Sequence, residues 1–339
     1  MFLRCIFSRR FTTANPVRLI VAGGDGSVMW AMSEVIAHGI DINFVAFGVV
    51  PFGTGNDFAR SLGWGSSTPS GDIGSNGLRG LKTLISSWLR ASVCDFDLWE
   101  VSLNVDIANG GYMEQIKSKA KTIVRDSDNI TSVISKPMCN YFSIGIESRI
   151  GIGFDRNRKH STMLNKLTYG WEGFKKSFTS TPRIAELIDN VKVNDRVILN
   201  TDPTTCKGSP VSLIFSNIDS FAGGCDLWSK SKRLAVQGVA PDAKLAMKAL
   251  KQSVGDGKLE ILTYNSLVGL SAEQLPGALG GNGRRVGQEE GPIKVCFRKE
   301  LGDKRCYAQI DGEFYLLHKP THVDIKHIHT VKVLAKSAS

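Results

Sequence analysis

The sequence predicts an α/β domain at the N-terminus followed by a β-rich, β-sandwich-like domain. Three observations carry this reading. Two apolar runs near the start, 17–22 (VRLIVA) and 44–50 (FVAFGVV), each lead through a glycine loop into residues spaced like a helix. Beyond residue 104 short strand-like runs dominate. The chain, 339 residues with 42% hydrophobic and 22% charged, is long enough for two cores and too apolar for global disorder.

Taken in order, the first sixteen residues stand apart. MFLRCIFSRRFTTANP holds Arg4, Arg9 and Arg10 and no acid, the composition of a mitochondrial transit peptide. The competing reading is a non-native leader. The α/β domain is expected over 17–103. Its first strand, 17–22, precedes Val28, Ala31, Met32, Val35 and Ile36 at helical spacing. The second, 44–50, is closed by Pro51, and a further helix starts at Phe58. Two successive strand–loop–helix units favour a parallel sheet. Residues 63–80 are rich in Gly and Ser and read as an exposed loop. Leu78, Leu81, Ile85, Trp88 and Leu89 mark a helix. The strand at 93–103 (VCDFDLWEVSL) holds Asp95 and Asp97 among apolar neighbours, where an unpaired charge is costly.

The β-rich domain is expected over 104–319. Strands are predicted at 141–146, 191–199, 211–216, 234–239, 259–262, 293–298, 305–310 and 314–317, interrupted by a helix at 163–178. Residues 320–339 are expected to return towards the first domain. The longest apolar stretch, 44–52, is about half the ~18–20 residues a membrane-spanning helix needs. A net charge of +10 implies an anionic partner. Eight Lys/Arg against two acids, Asp155 and Glu172, concentrate it at 149–183. The seven cysteines lack CxxC spacing, which excludes a zinc-ribbon or redox-motif reading and leaves reduced thiols.

The chemistry lies in the loops. Gly23, Gly24, Asp25, Gly26 and Ser27 sit between strand and helix, where converging backbone N–H groups and a helix N-terminus cradle phosphate. An aspartate there repels phosphate unless a cation intervenes, so Asp25 implies Mg²⁺. The alternative is a tight turn whose Asp caps a helix. No Gly-Lys-Ser/Thr follows, so this is not a Walker loop. Gly53, Thr54, Gly55, Asn56 and Asp57 repeat the logic, with a helix cap at Asn56 or Asp57 as the alternative. Two such loops on adjacent strands would share one sheet edge.

GGDGS, PFGTGNDFAR and LGWG resemble the catalytic domain of eukaryotic-type diacylglycerol kinases. DLWEVSL, NYFSIGIESRIGIGFD, NKLTYGWEG, NIDSFAGGCDLW, GDGKLEIL and QIDGEFY continue the resemblance to about Leu334, through the accessory domain. It implies the two-domain architecture shared by lipid kinases and NAD kinases, and transfer of the ATP γ-phosphate to diacylglycerol, giving phosphatidic acid. Gly23, Gly24, Asp25, Gly26, Ser27, Val28, Met29, Gly53, Thr54, Gly55 and Asn56 would hold the nucleotide. Asp25, Asp57 and Asp97 would join through Mg²⁺ and water. Asp311, with Glu313 in reserve, would be the general base, although Asp311-Gly312 also reads as a hairpin turn. Asp256 in GDGK matches a family turn that can hold Mg²⁺, and a plain hairpin turn is preferred there. Asp95 is read as solvent-facing.

The acceptor lipid implies an anionic membrane surface as partner, contacted peripherally, and no nucleic acid. The basic 149–183 segment, with Tyr169, Trp171, Phe174 and Phe178, fits that surface; an amphipathic helix with a buried aromatic face is the competing reading. The expected location is a cytoplasmic membrane face, or mitochondria if the leader is a true transit peptide. Oligomeric state stays open. Sphingoid or ceramide kinases usually lack the aspartate that stands here as Asp57; they, and a nucleotide- or lipid-binding pseudokinase, are the rival functions. Three departures stand out: Glu147 where the family has Asp, sixteen residues where it has a strand–helix–strand, and no cysteine-rich zinc modules.

Overall fold

Apolar, β-branched residues build the first two strands. β1 (Val17–Gly23) and β2 (Val45–Pro51) pair in parallel, from Val17 opposite Val45 to Gly23 opposite Pro51. β2 is buried along its whole length, as a strand covered on both faces must be. Between them, α1 (Asp25–Ala37) lays Val28, Met32 and Val35 against Val45, Phe47 and Val49. Alternation sends Ala46 to the opposite face. There it meets Ala91 and Trp88 at the end of α3 (Arg79–Arg90), which follows the short α2 (Asp57–Ser61). The structure, a computed structural model, describes residues 12–13, 15–67, 78–117, 120–126, 129–146, 148–149, 182–274, 280–302 and 304–336. Nearly all of the leader, Glu147, most of the 63–80 loop and most of the basic segment, with its expected helix, lie outside them.

The chain then enters strands. β3 (Ser92–Val105) leads to β4 (Tyr112–Lys117), β5 (Ala120–Ile123), the short pair β6 (Arg125–Asp126) and β7 (Asn129–Ile130), β8 (Val133–Met138) and β9 (Tyr141–Gly145). After α4 (Ile184–Leu187), β10 (Ile188–Val193) and β11 (Arg196–Asn200) correct the single strand predicted at 191–199. Asn194 and Asp195 both take positive φ, 46° and 67°, and close a two-residue hairpin. β12 (Ser212–Ser216) and α5 (Leu227–Lys230) precede β13 (Arg233–Leu234), far shorter than the strand predicted at 234–239 because the chain turns at Gly238, φ 70°. There follow α6 (Pro241–Ala249), β14 (Leu259–Tyr264), α7 (Leu267–Glu273), β15 (Gly283–Glu289), β16 (Ile293–Phe297), β17 (Cys306–Ile310), β18 (Glu313–His318) and β19 (Pro320–Ala335).

Two large sheets result. One has nine strands, in the order β13-β15-β14-β12-β9-β17-β18-β4-β5. The other runs β1-β2-β19-β16-β10-β11, with β3 against β19 and β8 beyond β3. Phe142, Leu213, Phe215 and Tyr315 of the first pack on Trp99, Val101, Val191, Val295 and Val323 of the second, a sandwich core. β19 ties the halves together. It pairs antiparallel with β3 from end to end, interrupted by a bulge between His327 and His329. Its early residues also bond β16, and Lys332 and Val333 run parallel to β2.

Candidate active site

The two glycine loops touch backbone to backbone. A Cβ on Gly24 would lie 3.0 Å from the Gly53 Cα, and one on Gly53 would lie 2.7 Å from the Gly24 Cα. Glycine is required at both positions. The Phe52 N–H donates to the Gly23 carbonyl at 3.0 Å, so both loops sit at the C-terminal edge of β1 and β2. Asn56 closes the second loop in a left-handed conformation, φ 51°, which its short polar side chain tolerates. Its Oδ1 accepts from the Gly53 N–H at 2.8 Å, and its Nδ2 donates to the Gly53 and Ser66 carbonyls, both at 2.9 Å.

Asp25 opens α1 but caps a different helix. Its Oδ2 accepts from the Asp57 N–H and its Oδ1 from the Phe58 N–H, each at 3.1 Å, which supplies the first donors of α2 with an acceptor. The alternative of a turn whose Asp caps its own helix does not form: Gly24 is the N-cap of α1 with no side-chain cap bond, and Asp25 caps α2 instead. Asp57 turns the other way, towards the β-rich domain. Its Oδ1 accepts from the Ser220 hydroxyl at 2.5 Å and the Gly223 N–H at 2.8 Å, and the Tyr141 hydroxyl lies 3.4 Å from its Oδ2. The 220–224 loop is tightly bent, with φ of 49°, 92° and 116° at Ala222, Gly223 and Gly224. Arg60 lies against Gly224, where a Cβ would stand 2.8 Å from the guanidinium.

Asp311 arrives from the far domain. Asp311 and Gly312 form the two-residue hairpin between β17 and β18, with φ 46° and 83° and Ile310 opposite Glu313. The turn aims the carboxylate at three successive backbone donors. Cys139 N–H bonds Oδ2 at 2.7 Å, and Asn140 and Tyr141 N–H bond Oδ1 at 2.9 Å. Burial pushes the proton affinities of Asp25, Asp57 and Asp311 upward, Asp57 to about 6. Asp311 raises Asp25 further and Asp25 raises Asp57, while the Arg60 guanidinium lowers both.

Asp97 does not join this group. Its Oδ1 accepts from His327 Nε2 at 2.8 Å and Thr330 Oγ1 at 2.9 Å, and its Oδ2 from the Gly257 N–H at 2.6 Å. The expected Asp25–Asp57–Asp97 grouping is corrected accordingly. Asp97 is satisfied by protein donors, and the third carboxylate acting on Asp25 is Asp311. Among the described residues no three His, Cys, Asp or Glu side chains converge on a metal position. An oxygen-only set with surplus negative charge still suits a hard cation held partly by water and phosphate, which is how Mg²⁺ usually binds. Glu313 bonds the Tyr315 hydroxyl at 2.7 Å and pairs with Lys136 at 3.5 Å. Asp95 is paired with Lys332 at the surface. Asp256 sits in an exposed turn, accepting from the Lys258 N–H. The partner roles of Tyr141, Ser220, Gly223 and Arg60 were beyond sequence reasoning, although NYFSIG, SFAGGC and PFGTGNDFAR contain all four residues.

Glycine loops in backbone contact at a parallel-sheet edge, with the Asp311 carboxylate brought to them from the second domain, form a candidate phosphate site in a two-domain protein. Two family models narrow this: the diacylglycerol kinase catalytic domain matches residues 6–83, and the diacylglycerol kinase accessory domain matches residues 137–314. The chain belongs to the diacylglycerol kinase family. It is similar to Probable diacylglycerol kinase 3 of Caenorhabditis elegans, 26% identical over 341 residues, covering 97% of this chain and 38% of that protein. It is similar also to Diacylglycerol kinase 1 of Oryza sativa subsp. japonica, 26% identical over 378 residues, covering 98% of this chain and 70% of that protein. A crystal structure of a Bacillus anthracis str. Sterne protein assigned as a diacylglycerol kinase covers 96% of this chain and 81% of its own, with a TM-score of 0.48 and 14% identity. The chain therefore spans well under half of the worm relative.

Proposed function

We propose that the protein transfers the γ-phosphate of ATP to the free hydroxyl of diacylglycerol, giving phosphatidic acid and ADP. The observation that carries this is the contact of Gly24 with Gly53 beside three carboxylates, Asp57 buried and Asp25 and Asp311 half-buried. Backbone N–H groups at 23–29 and 53–56, the Thr54 hydroxyl and the N-terminus of α1 hold the phosphates. Asp25 and Asp57 are the residues that would hold Mg²⁺, which would supply charge neutralisation of the phosphates. Asp311 takes the proton of the attacking hydroxyl as its oxygen bonds phosphorus and the bond to the β-phosphate oxygen breaks. Its Oδ2 accepts from the Cys139 N–H, and the Cys139 side chain adds a further hydrogen bond to the same carboxylate. Burial raises its proton affinity, which suits a base. The partners of Glu313 make it the poorer candidate.

The test is a mixed-micelle assay with radiolabelled ATP and separate diacylglycerol, sphingosine and ceramide arms. Labelled phosphatidic acid that requires Mg²⁺ is the expected product. Label in the sphingosine or ceramide arm alone would replace the acceptor. Nucleotide binding without transfer in any arm would make the protein a pseudokinase.

Membrane contact in this reading is peripheral, at a cytoplasmic membrane face, and Coulombic through the basic 149–183 segment. Among the described residues no helix is long and apolar enough to cross a membrane. Sedimentation with anionic vesicles should weaken as the Debye length shrinks from ~10 Å at 0.1 M salt to ~3 Å at 1 M.

A further inference from the structure

α3 presents an apolar row to solvent. The helix RGLKTLISSWLR buries none of its residues fully. Leu81, Leu84 and Trp88 are half-buried, and Trp88 packs with Ile20, Ala46, Ala91 and Leu334 on the sheet. The Arg18 guanidinium fastens its last turn, donating to the Ala91 carbonyl at 3.1 Å and to the Trp88 carbonyl. One flank of the apolar stripe is therefore docked. The adjoining flank is not. Leu78, Ile85 and Leu89, seven and four residues apart, line up along the helix at 47%, 43% and 64% exposure. Isolated exposed leucines need no explanation, but an aligned row on a fixed helix does.

The polar border of that row decides what covers it. Lys82 and Arg79 flank it on the solvent side, and Arg90 stands in the last turn. The helix contains no acidic residue. An apolar strip with a purely cationic border matches the boundary of an anionic bilayer, where leucine side chains enter the acyl region and lysine and arginine meet headgroup phosphates. A second copy of this chain, at net +10, would bring further positive charge against Arg79 and Lys82. We propose that α3 is an interfacial helix that docks the α/β domain on an anionic lipid surface through Leu78, Ile85 and Leu89, with Arg79 and Lys82 on the headgroups. This surface lies outside the phosphate site and outside the basic 149–183 segment, and it stands whether or not the kinase reading holds.

The experiment is sedimentation of the full chain with phosphatidylcholine vesicles, alone or with about a third phosphatidylserine. Ile85→Gln/Leu89→Gln is compared with Arg79→Gln/Lys82→Gln. Each charge removed should weaken binding about fivefold, the factor equivalent to ~1 kcal/mol per basic residue at a membrane surface. The apolar pair should lower partitioning at least as far, with the thermal midpoint and fluorescent-ATP binding unchanged. Binding unchanged in both variants would overturn the proposal and assign the membrane contact to 149–183. Equal wild-type binding to neutral vesicles, or no wild-type binding to either, would overturn it too. So would a wild-type dimer in analytical ultracentrifugation that Ile85→Gln/Leu89→Gln dissociates, since a second copy would then cover the row. Loss of ATP binding in wild type would count against the kinase reading alone.

Discussion

Asp97 on one side, and Asp25, Asp57 and Asp311 on the other, are carboxylates drawn in from solvent and treated in opposite ways. Asp97 has a histidine, a hydroxyl and a backbone N–H to itself, contributed by β19 and the turn before β14. Asp25, Asp57 and Asp311 take backbone and hydroxyl donors, yet Asp311 still raises Asp25 and Asp25 raises Asp57, with the Arg60 guanidinium lowering both. In the first arrangement both carboxylate oxygens are taken up by protein donors. The second keeps surplus negative charge at the edge where two glycine loops meet, and that surplus is what a magnesium–phosphate complex would neutralise. Burial alone does not mark a functional carboxylate; an unmatched charge beside a place for a ligand does.

The comparison can be broken most sharply at Asp311. Asp311→Asn keeps an acceptor for the Cys139–Tyr141 N–H groups but cannot take the proton. Turnover should fall about 10²–10⁴-fold while ATP affinity holds. Single-turnover transfer alongside fluorescent-ATP titration reads both, and lost affinity with retained turnover would make Asp311 a binder. Asp97→Ala should do the reverse. Stranding the His327 and Thr330 side chains and the Gly257 N–H should cost about 3–5 kcal/mol in urea unfolding and spare the turnover of the folded fraction. If turnover collapsed with stability intact, Asp97 would belong with the phosphates and the contrast would fail.

A smaller effect comes from pH. The folded-state proton affinity of Asp57 is raised from 3.8 to about 6, so the folded protein binds the extra proton between those values. Stability should therefore fall as pH rises from about 4 to about 6, by at most ~3 kcal/mol, and level off above. Thermal midpoints across that range should show the slope, and Asp57→Asn should flatten it. Smallest is Ser220→Ala. It removes the 2.5 Å donor that favours the Asp57 anion, costing about 1.5 kcal/mol and moving the upper end of the window above 6.

The local parts of this site are legible in the sequence because they are short-range. The strand–glycine–helix units, the Asp-Gly hairpin and the candidate phosphate residues each fit within a few consecutive positions. What the sequence hides is long-range. Asp97 reads as a metal-cluster carboxylate because its true partners, His327 and Thr330, lie across a strand pairing that no local pattern announces. Ser220 and Gly223 meet Asp57 only after the sandwich has formed. Strand errors have local causes. The Asn194-Asp195 turn was present as a polar dipeptide within an otherwise continuous strand pattern. The bulge in β19 breaks the alternation of Val323 and Ile325 before Val331 and Val333 resume it.

β19 also sets the order in which the protein can be made. It is the shared neighbour of β2, β3 and β16, so neither half of the eight-stranded sheet has its full complement of backbone partners without it. Synthesis proceeds from the N-terminus, and β19 emerges after every other described strand. The α/β layer waits with one side of β2 unpaired until residues 332–333 emerge. A stop codon just before position 320 would therefore unstitch β1 and β2 along with the strands that follow them.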